Sequence, residues 1–263
     1  MQIKFSKYQG TGNDFIIIDN RFQRWTPEER QITYLCDRHF GIGADGLMLL
    51  DLFEGFDFTM SYFNSDGRES SMCGNGGRCI TAFANHLELI QDKARFHAID
   101  GEHIAEILKP QSEEFNIRLK MKDVILHSDS EDGIFLNTGS PHFVKFVEHL
   151  ENMDVVSLGR AIRYDDCFAP GGTNVDFVEV EDNCLFVRSY ERGVENETLS
   201  CGTGVTASSL AAAYISGENK RRYEVRTRGG KLTVTFKQQG MSFSEIWLEG
   251  VVRFVFSGSV EIF

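Results

Sequence analysis

Positive charge is scarce in this chain of 263 residues: 27 lysines and arginines stand against 39 aspartates and glutamates, a formal net charge of −12. With no dense basic run, a binder of nucleic-acid phosphates is excluded, and the acidic excess reads as a solvated surface. Long hydrophobic runs are missing as well. No stretch approaches the ~20 apolar residues that cross a bilayer, and Met1-Gln2-Ile3-Lys4-Phe5 lacks the apolar core of a signal peptide, so a cytoplasmic location without a membrane partner is expected. No two of the six cysteines are spaced Cys-x2-Cys, and the closest pair, Cys73 and Cys79, has no matching histidine cluster. Reduced thiols are therefore expected, with neither a disulfide framework nor a metal centre.

What the chain does have is one device made twice. Ser71-Met72-Cys73-Gly74-Asn75-Gly76-Gly77-Arg78-Cys79 is echoed by Ser200-Cys201-Gly202-Thr203-Gly204-Val205, each a cysteine followed by a glycine-rich turn and a helix-like run. The N–H groups of a helix's first turn have no intrahelical partner, and the helix dipole adds positive character there. Such a turn can hold a carboxylate or phosphate, and glycine lets the anion approach the backbone. A cysteine at the same place is expected to have a lowered pKa. Each copy is thus a candidate base and a candidate anion cradle.

The rest of the chain follows the duplication. Strands are expected at Ile3 to Tyr8 and Phe15 to Asp19 around the turn Gly10-Thr11-Gly12-Asn13-Asp14. Thr26-Pro27-Glu28-Glu29 predicts a helix start, with the helix running to about His39 and Cys36 in its core face. Further strands are read at Leu47 to Leu52, Phe56 to Tyr62, Arg95 to Ile99, His103 to Leu108 and Phe115 to Met121, and a helix over Arg78 to Leu89. The polar stretch His127 to Asp132 is the candidate connection near mid-chain. Beyond it come strands at Phe143 to Val147, Val175 to Val180 and Leu185 to Tyr190, a short helix over Val155 to Ile162, and the helix after Cys201. Four runs close the chain: Tyr223 to Thr227, Leu232 to Phe236, Glu245 to Leu248 and Val251 to Phe256. The expected architecture is α+β, with two similar pseudo-symmetric domains. In each, a strongly curved sheet wraps a central cysteine-headed helix that is buried all round.

If the two helix starts face each other across an interdomain cleft, one thiol lies on each side of a small bound anion. Were that anion the carboxylate of an α-amino acid, one thiolate could remove the α-proton while the opposite thiol protonates the other face, inverting the centre. The cradles would stabilise the developing enolate charge, and no cofactor is required. Polar Asn64 and Glu191 precede the two cysteines by similar distances, which strengthens the reading of the pair as a site.

These residues resemble the diaminopimelate epimerase family, cofactor-independent two-cysteine amino-acid epimerases. The resemblance is carried by Gly12-Asn13-Asp14-Phe15, Asp37-Arg38-His39 with Gly41-Ile42-Gly43, Phe63-Asn64-Ser65-Asp66-Gly67, Met72 through Cys79, Pro141-His142, Thr173-Asn174-Val175, Tyr190-Glu191-Arg192-Gly193, and Glu197-Thr198 leading to Cys201-Gly202-Thr203-Gly204. It implies interconversion of LL- and meso-2,6-diaminopimelate, a step of lysine and peptidoglycan precursor synthesis. Cys201 would act as base and Cys73 as acid in the LL to meso direction, with roles exchanged in reverse. Backbone N–H groups of Gly74, Asn75, Gly202 and Thr203 would hold the carboxylate at the reacting centre. Asn64, Asn174 and Arg192 would bind the distal end, Asn13 and Glu191 would complete the pocket, and His142 and Glu191 would tune the thiols. The resemblance further implies a homodimer, and domains over 1–122, joined by the last strand at 251–263, and 123–250. Three residues depart from the family pattern: Ser140 where many members have asparagine, Gly46 where some have glutamine, and Phe256 where some have an interface tyrosine. The rivals are a proline or hydroxyproline racemase of the same fold, against which Asn75 and Arg192 argue, a thiol redox protein, and a non-catalytic amino-acid binder.

Overall fold

A computed structural model describes residues 1–70, 72–110, 114–126, 128–130, 132–182, 184–217 and 220–262. Ser71, at the head of the first cysteine motif, and His127 and Glu131, within the polar mid-chain stretch, lie outside the described residues. The chain forms two compact units, Met1–Leu119 with Gly250–Phe263, and Lys120–Glu249.

The first unit contains β1 (Gln2–Gly10), β2 (Asn13–Asp19), α1 (Glu29–Cys36), β3 (Gly46–Asp51), β4 (Phe58–Asn64), β5 (Glu69–Ser70), α2 (Gly74–His86), β6 (Lys93–Ala98), β7 (Gly101–Pro110) and β8 (Glu114–Lys120). The second contains β9 (Val124–Ile125), β10 (Ser128–Ser130), β11 (Gly133–Asn137), β12 (Pro141–Phe146), α3 (Val155–Arg163), β13 (Asn174–Val180), β14 (Leu185–Glu191), β15 (Asn196–Thr198), α4 (Gly202–Ser216), β16 (Arg222–Thr227) and β17 (Gly230–Gln239). The last strand, β18 (Ser242–Glu261), starts in the second unit, where Ser242 and Phe243 pair with β9, and finishes in the first.

In the first unit the strands close into a barrel. β1 pairs antiparallel with β2, β2 parallel with β3, β3 antiparallel with β4, and β4 parallel with β6. β6, β7, β8 and the end of β18 continue antiparallel, and β18 returns to β1. The second unit repeats the alternation: β11–β12 antiparallel, β12–β13 parallel, β13–β14 antiparallel, β14–β16 parallel, β16–β17 antiparallel. Each parallel step needs a crossover, and the four long helices supply them. The architecture is α+β, as the sequence predicts.

The sequence explains which crossovers go inside. Gly74 through Ala84 of α2 are all buried, as are Gly202 and Gly204 through Ala213 of α4. α2 touches β1, β2, β3 and β7, and α4 touches β11 to β14, β16 and β17. Small residues let strands close around a helix. Three of the buried hydroxyls are satisfied by their own helix: Thr81 Oγ1 donates to Gly77 O at 2.7 Å, Thr206 Oγ1 to Gly202 O and Ser209 Oγ to Val205 O, both at 2.9 Å. α1 lies on the outside instead, where Ile32, Leu35 and Cys36 pack on Ile3, Ile16, Ile18, Leu47 and Leu49. That is why Phe15-Ile16-Ile17-Ile18 is apolar without alternation: helices cover both faces of β2.

Element limits differ from expectation at several places: α2 runs over Gly74–His86 rather than Arg78 to Leu89, and two further differences have a plain cause. α1 begins at Glu29 and ends at Cys36, not at Thr26-Pro27 and His39. Glu28 takes the cap position because Gln31 Oε1 accepts its N–H at 3.0 Å, and Asp37 turns extended to accept the N–H groups of His39 and Phe40. The runs Glu245 to Leu248 and Val251 to Phe256 form one strand, since Ile246, Leu248, Gly250 and Val252 keep a single buried face through the glycine.

Candidate active site

Both cysteines occupy the cap position of a central helix in extended backbone, Cys73 at φ −90°, ψ 134° and Cys201 at φ −111°, ψ 111°. The first intrahelical bonds run from Gly77 N–H to Cys73 O at 2.7 Å and from Val205 N–H to Cys201 O at 2.8 Å. The N–H groups of Gly74, Asn75, Gly202 and Thr203 therefore lie in the helices' first turns with no partner inside the helix. The predicted device is the same backbone in both units, but the side chains behind it differ.

In the first unit Cys73 Sγ lies 3.5 Å from Asn13 Oδ1, which also accepts Asn75 Nδ2–H at 3.3 Å. Asn13 Nδ2 donates to Asp45 Oδ2 at 2.7 Å. Asp45 belongs to a charge cluster in which Asp14 meets Lys7 at 2.9 Å and Arg38 at 2.7 Å, and Arg38 also meets Asp45 at 2.7 Å. Burial pushes the Asp14 carboxyl up, but the hydrogen bonds from Arg38 and Lys7 outweigh it and hold it below the ordinary range. Asn64 is exposed at the end of β4, opposite Gly46 in the ladder. A side chain at position 46 would run into Tyr62 and the Phe63 carbonyl, each 2.6 Å from the added carbon.

In the second unit, buried His142 is held between Asp176 and Thr203: Nδ1 lies 2.6 Å from Asp176 Oδ2 and Nε2 lies 2.9 Å from Thr203 Oγ1. A carboxylate only accepts, so Nδ1 carries a proton. Thr203 Oγ1 is 3.4 Å from Cys201 Sγ, which links the thiol to the imidazole through one hydroxyl. Asp176 also accepts Ser189 Oγ–H at 2.6 Å. Glu191 accepts a hydrogen bond from Thr198 Oγ1 and lies near the Cys201 thiol. Desolvation pushes the Glu191 carboxyl above its usual value, and burial, with Glu191 and Asp176 adding to it, pushes the Cys201 thiol well above its own. The helix-start effect that predicts a lowered thiol pKa is outweighed here by desolvation and neighbouring carboxylates.

The Asn174 amide is fully engaged. Its Nδ2 donates to Ser140 Oγ and Pro141 O, both at 2.8 Å, and its Oδ1 accepts the Arg192 N–H at 2.9 Å. Ser140, the departure from asparagine, thus becomes part of the support for Arg192. The Arg192 side chain is exposed and has no carboxylate partner among the described residues. Sequence reasoning missed Asp176, Thr198 and the Thr203 hydroxyl. Asp176 carried a signal, an acid inside the apolar run Val175 to Val178. All six cysteines are free thiols, and among the described residues no group of three or more His, Cys, Asp or Glu is placed to hold a metal ion.

Comparison with known proteins places this geometry. The family model described as diaminopimelate epimerase matches residues 5–125 and 134–255. A relative named diaminopimelate epimerase from Flavobacterium psychrophilum is 48% identical over 98% of this chain and 100% of its own length. One of the same name from Aquifex aeolicus is 41% identical over 97% of each. The crystal structure of a Bacillus anthracis phenazine biosynthesis protein of the PhzF family shares the fold, with a TM-score of 0.76 at 15% identity and full coverage of both chains. With a family model matched along both barrel-and-helix units and full-length relatives at this identity, the chain belongs to the diaminopimelate epimerase family.

Proposed function

We propose that this chain interconverts LL- and meso-2,6-diaminopimelate without a cofactor, using Cys73 and Cys201 as a two-thiol acid–base pair, in the supply of lysine and peptidoglycan precursors. The observation that carries the reading is the twofold occurrence of a thiol at the start of a helix that is buried through Ala84 in one unit and, Thr203 apart, through Ala213 in the other. Each unit is one epimerase domain and contributes one thiol, one removing the α-proton and the other supplying a proton to the α-carbon. Cys201, linked to Glu191 and through Thr203 to His142, has proton acceptors beside it and starts as the base in the LL to meso direction. Cys73 faces an amide oxygen, which accepts an S–H but cannot take its proton, and starts as the acid. The first-turn N–H groups of Gly74, Asn75, Gly202 and Thr203 hold the α-carboxylate and the enolate charge that grows from it. Arg192, a guanidinium suited to bidentate pairing, takes the distal carboxylate on the support of Asn174 and Ser140, with Asn64 and Asn13 completing the pocket.

The protein works in the cytoplasm as a homodimer, a state favoured by the exposed apolar residues Val251, Val255 and Phe256 of β18. A proline-type racemase is less well supported, because the full-length relatives at 48% and 41% identity carry the diaminopimelate name.

The test is incubation of the reduced protein with LL-diaminopimelate in D2O, beside Cys73→Ser and Cys201→Ser variants and a proline control. Meso product with deuterium at the α-carbon, nearly abolished by either substitution, is expected. Inert diaminopimelate with exchanging proline would reassign the substrate, and no exchange with either would remove the epimerase reading.

A further inference from the structure

Arg78 is a charged side chain sealed inside the first barrel. It is 0% exposed. Its terminal nitrogens donate to Asn75 Oδ1 at 2.8 Å and to Gly74 O at 3.2 Å, its Nε has no partner, and it forms no ion pair among the described residues. Gly10 packs against it from β1, where an added methyl carbon would lie 3.6 Å from the guanidinium. A buried cation without an anion is costly, so the fold tolerates it only where negative charge arises close by.

The charges around it exclude the standing carboxylates as that anion. On β1, β2 and the loop before β3, Asp14 and Asp45 are matched by Lys7 and Arg38. Asp100, which accepts the Met72 N–H, is turned to His103 at 3.0 Å. On α2 itself stand Cys79, whose thiol burial pushes far above the usual value, and Cys73. What remains for Arg78 is charge at the head of its own helix.

The hydrogen bonds show how Arg78 reaches that head. A guanidinium only donates, so the Asn75 atom facing it is oxygen, and Thr11 Oγ1 at 3.3 Å donates to the same atom. Asn75 Nδ2 then faces Asn13, which must turn its oxygen toward it. The far side of Asn13 agrees, since its Nδ2 faces the carboxylate of Asp45. Both ends of this chain force the same outcome: the atom presented to Cys73 Sγ is an acceptor.

We propose that Arg78 is a positioning residue for Cys73: through Asn75 and Asn13 it fixes the acceptor that holds the S–H, and its unmatched charge balances the thiolate left when that proton is given up. The inference rests on the two-thiol reading only for its purpose. When Cys73 delivers its proton to the α-carbon, the C–H bond forms, the S–H bond breaks, and the electron pair stays on sulfur at the helix start above Arg78. A thiol's hydrogen bond to an amide is weak, so the charge outweighs the acceptor and Arg78 lowers the pKa of Cys73.

Cys73 can be titrated without any substrate, which separates this inference from the epimerase reading. In Cys201→Ala protein, alkylation by iodoacetamide is followed against pH and resolved by peptide mass spectrometry, with exposed Cys167 as internal reporter. Without further substitution the Cys73 midpoint is expected below that of Cys167. Arg78→Met is expected to raise the Cys73 midpoint by about one unit, a roughly ten-fold loss of alkylation at pH 7, while Arg78→Lys keeps most of it and the Cys167 profile stays fixed. An unchanged midpoint in Arg78→Met, or equal damage from Arg78→Lys, would overturn the proposal. Should Arg78→Met not fold, a Cys73 midpoint at or above that of Cys167 in the Cys201→Ala protein overturns it just as well.

Discussion

Adding one methyl group at the third position after each cysteine is expected to cost far more in the second copy than in the first. Gly76 and Gly204 occupy the same place in Cys73-Gly74-Asn75-Gly76 and Cys201-Gly202-Thr203-Gly204. A carbon added at Gly76 meets the Met48 methyl at 3.2 Å, the far end of a flexible side chain, and Cys73 Cβ at 3.5 Å. At Gly204 the same carbon lands 2.2 Å from Asp176 Oδ1 and 3.0 Å from its Cγ. Asp176 cannot yield, because one oxygen holds His142 Nδ1 and the other accepts from Ser189, each at 2.6 Å. Overpacking costs about 1–3 kcal/mol, and a buried polar group deprived of its partner costs about 1–3 kcal/mol more. Gly204→Ala should therefore lose roughly 2–6 kcal/mol, against about 1 kcal/mol or less for Gly76→Ala, whose neighbour can swing aside. Urea unfolding of both variants, read with an unchanged slope, measures the difference. In the folded Gly204→Ala protein, kcat should fall by about a hundred-fold or more, because an unanchored imidazole no longer backs Cys201. Equal stabilities, or a Gly204→Ala enzyme of near-normal kcat, would refute the claim that Asp176 is fixed against this helix and orients His142.

Two pH effects follow from carboxyls shifted in opposite directions. Glu191 is raised by desolvation above the usual 4.5, so above that pH the folded chain binds more protons than the unfolded one and stability falls as pH rises toward the folded pKa. Glu191→Gln removes this loss, and its stability relative to the parent should climb with pH from about 4.5 and then level off, which denaturation midpoints at pH 4, 6 and 8 would show; parallel curves would refute it. Asp14 is held below the usual 3.8 once the Arg38 and Lys7 bonds overcome burial, so its contribution is present above that pH and disappears as pH falls through the folded value. Asp14→Asn leaves Lys7, whose side chain is 6% exposed, without its carboxylate and should cost about 3 kcal/mol at pH 7, a cost that shrinks as pH is lowered below 3.8 toward the folded value; a cost independent of pH would show that the charge pairing is not its source.

How far the sequence could be read depends on whether a feature is local. Cysteine, glycine and a run of small residues sit side by side in the chain, so the thiol-headed helices and their burial were legible. The start of α1 was not, since Pro27 and Glu28 compete for it and the choice rests on Gln31 reaching back to Glu28. Nor was the continuity of β18, where Glu249-Gly250 reads as a turn unless a buried face is known to run through it. The support for each thiol comes from strands far away in sequence. Asp176 is 34 residues from His142 and Asn13 is 60 from Cys73, and no local pattern says that they meet.

That distant support is also where two similar halves become different. Two cradles with identical surroundings would titrate together, leaving both thiols protonated or both ionised, and a two-thiol inversion needs one of each at the start. On the proposed reading, the difference is supplied by what lies behind the helices. Cys73 has a neutral amide beside it and an unmatched guanidinium below. Cys201 has Glu191 beside it and the His142–Asp176 pair one hydroxyl away. The fixed cation stabilises a thiolate at Cys73, the starting base of the meso to LL direction, whereas in the LL to meso direction the thiolate starts at Cys201, its proton taken up by a neighbouring base. The reaction can then run either way, because the proton lost at one end is matched by the proton gained at the other, and neither helix start has to carry unbalanced charge for longer than the transfer lasts.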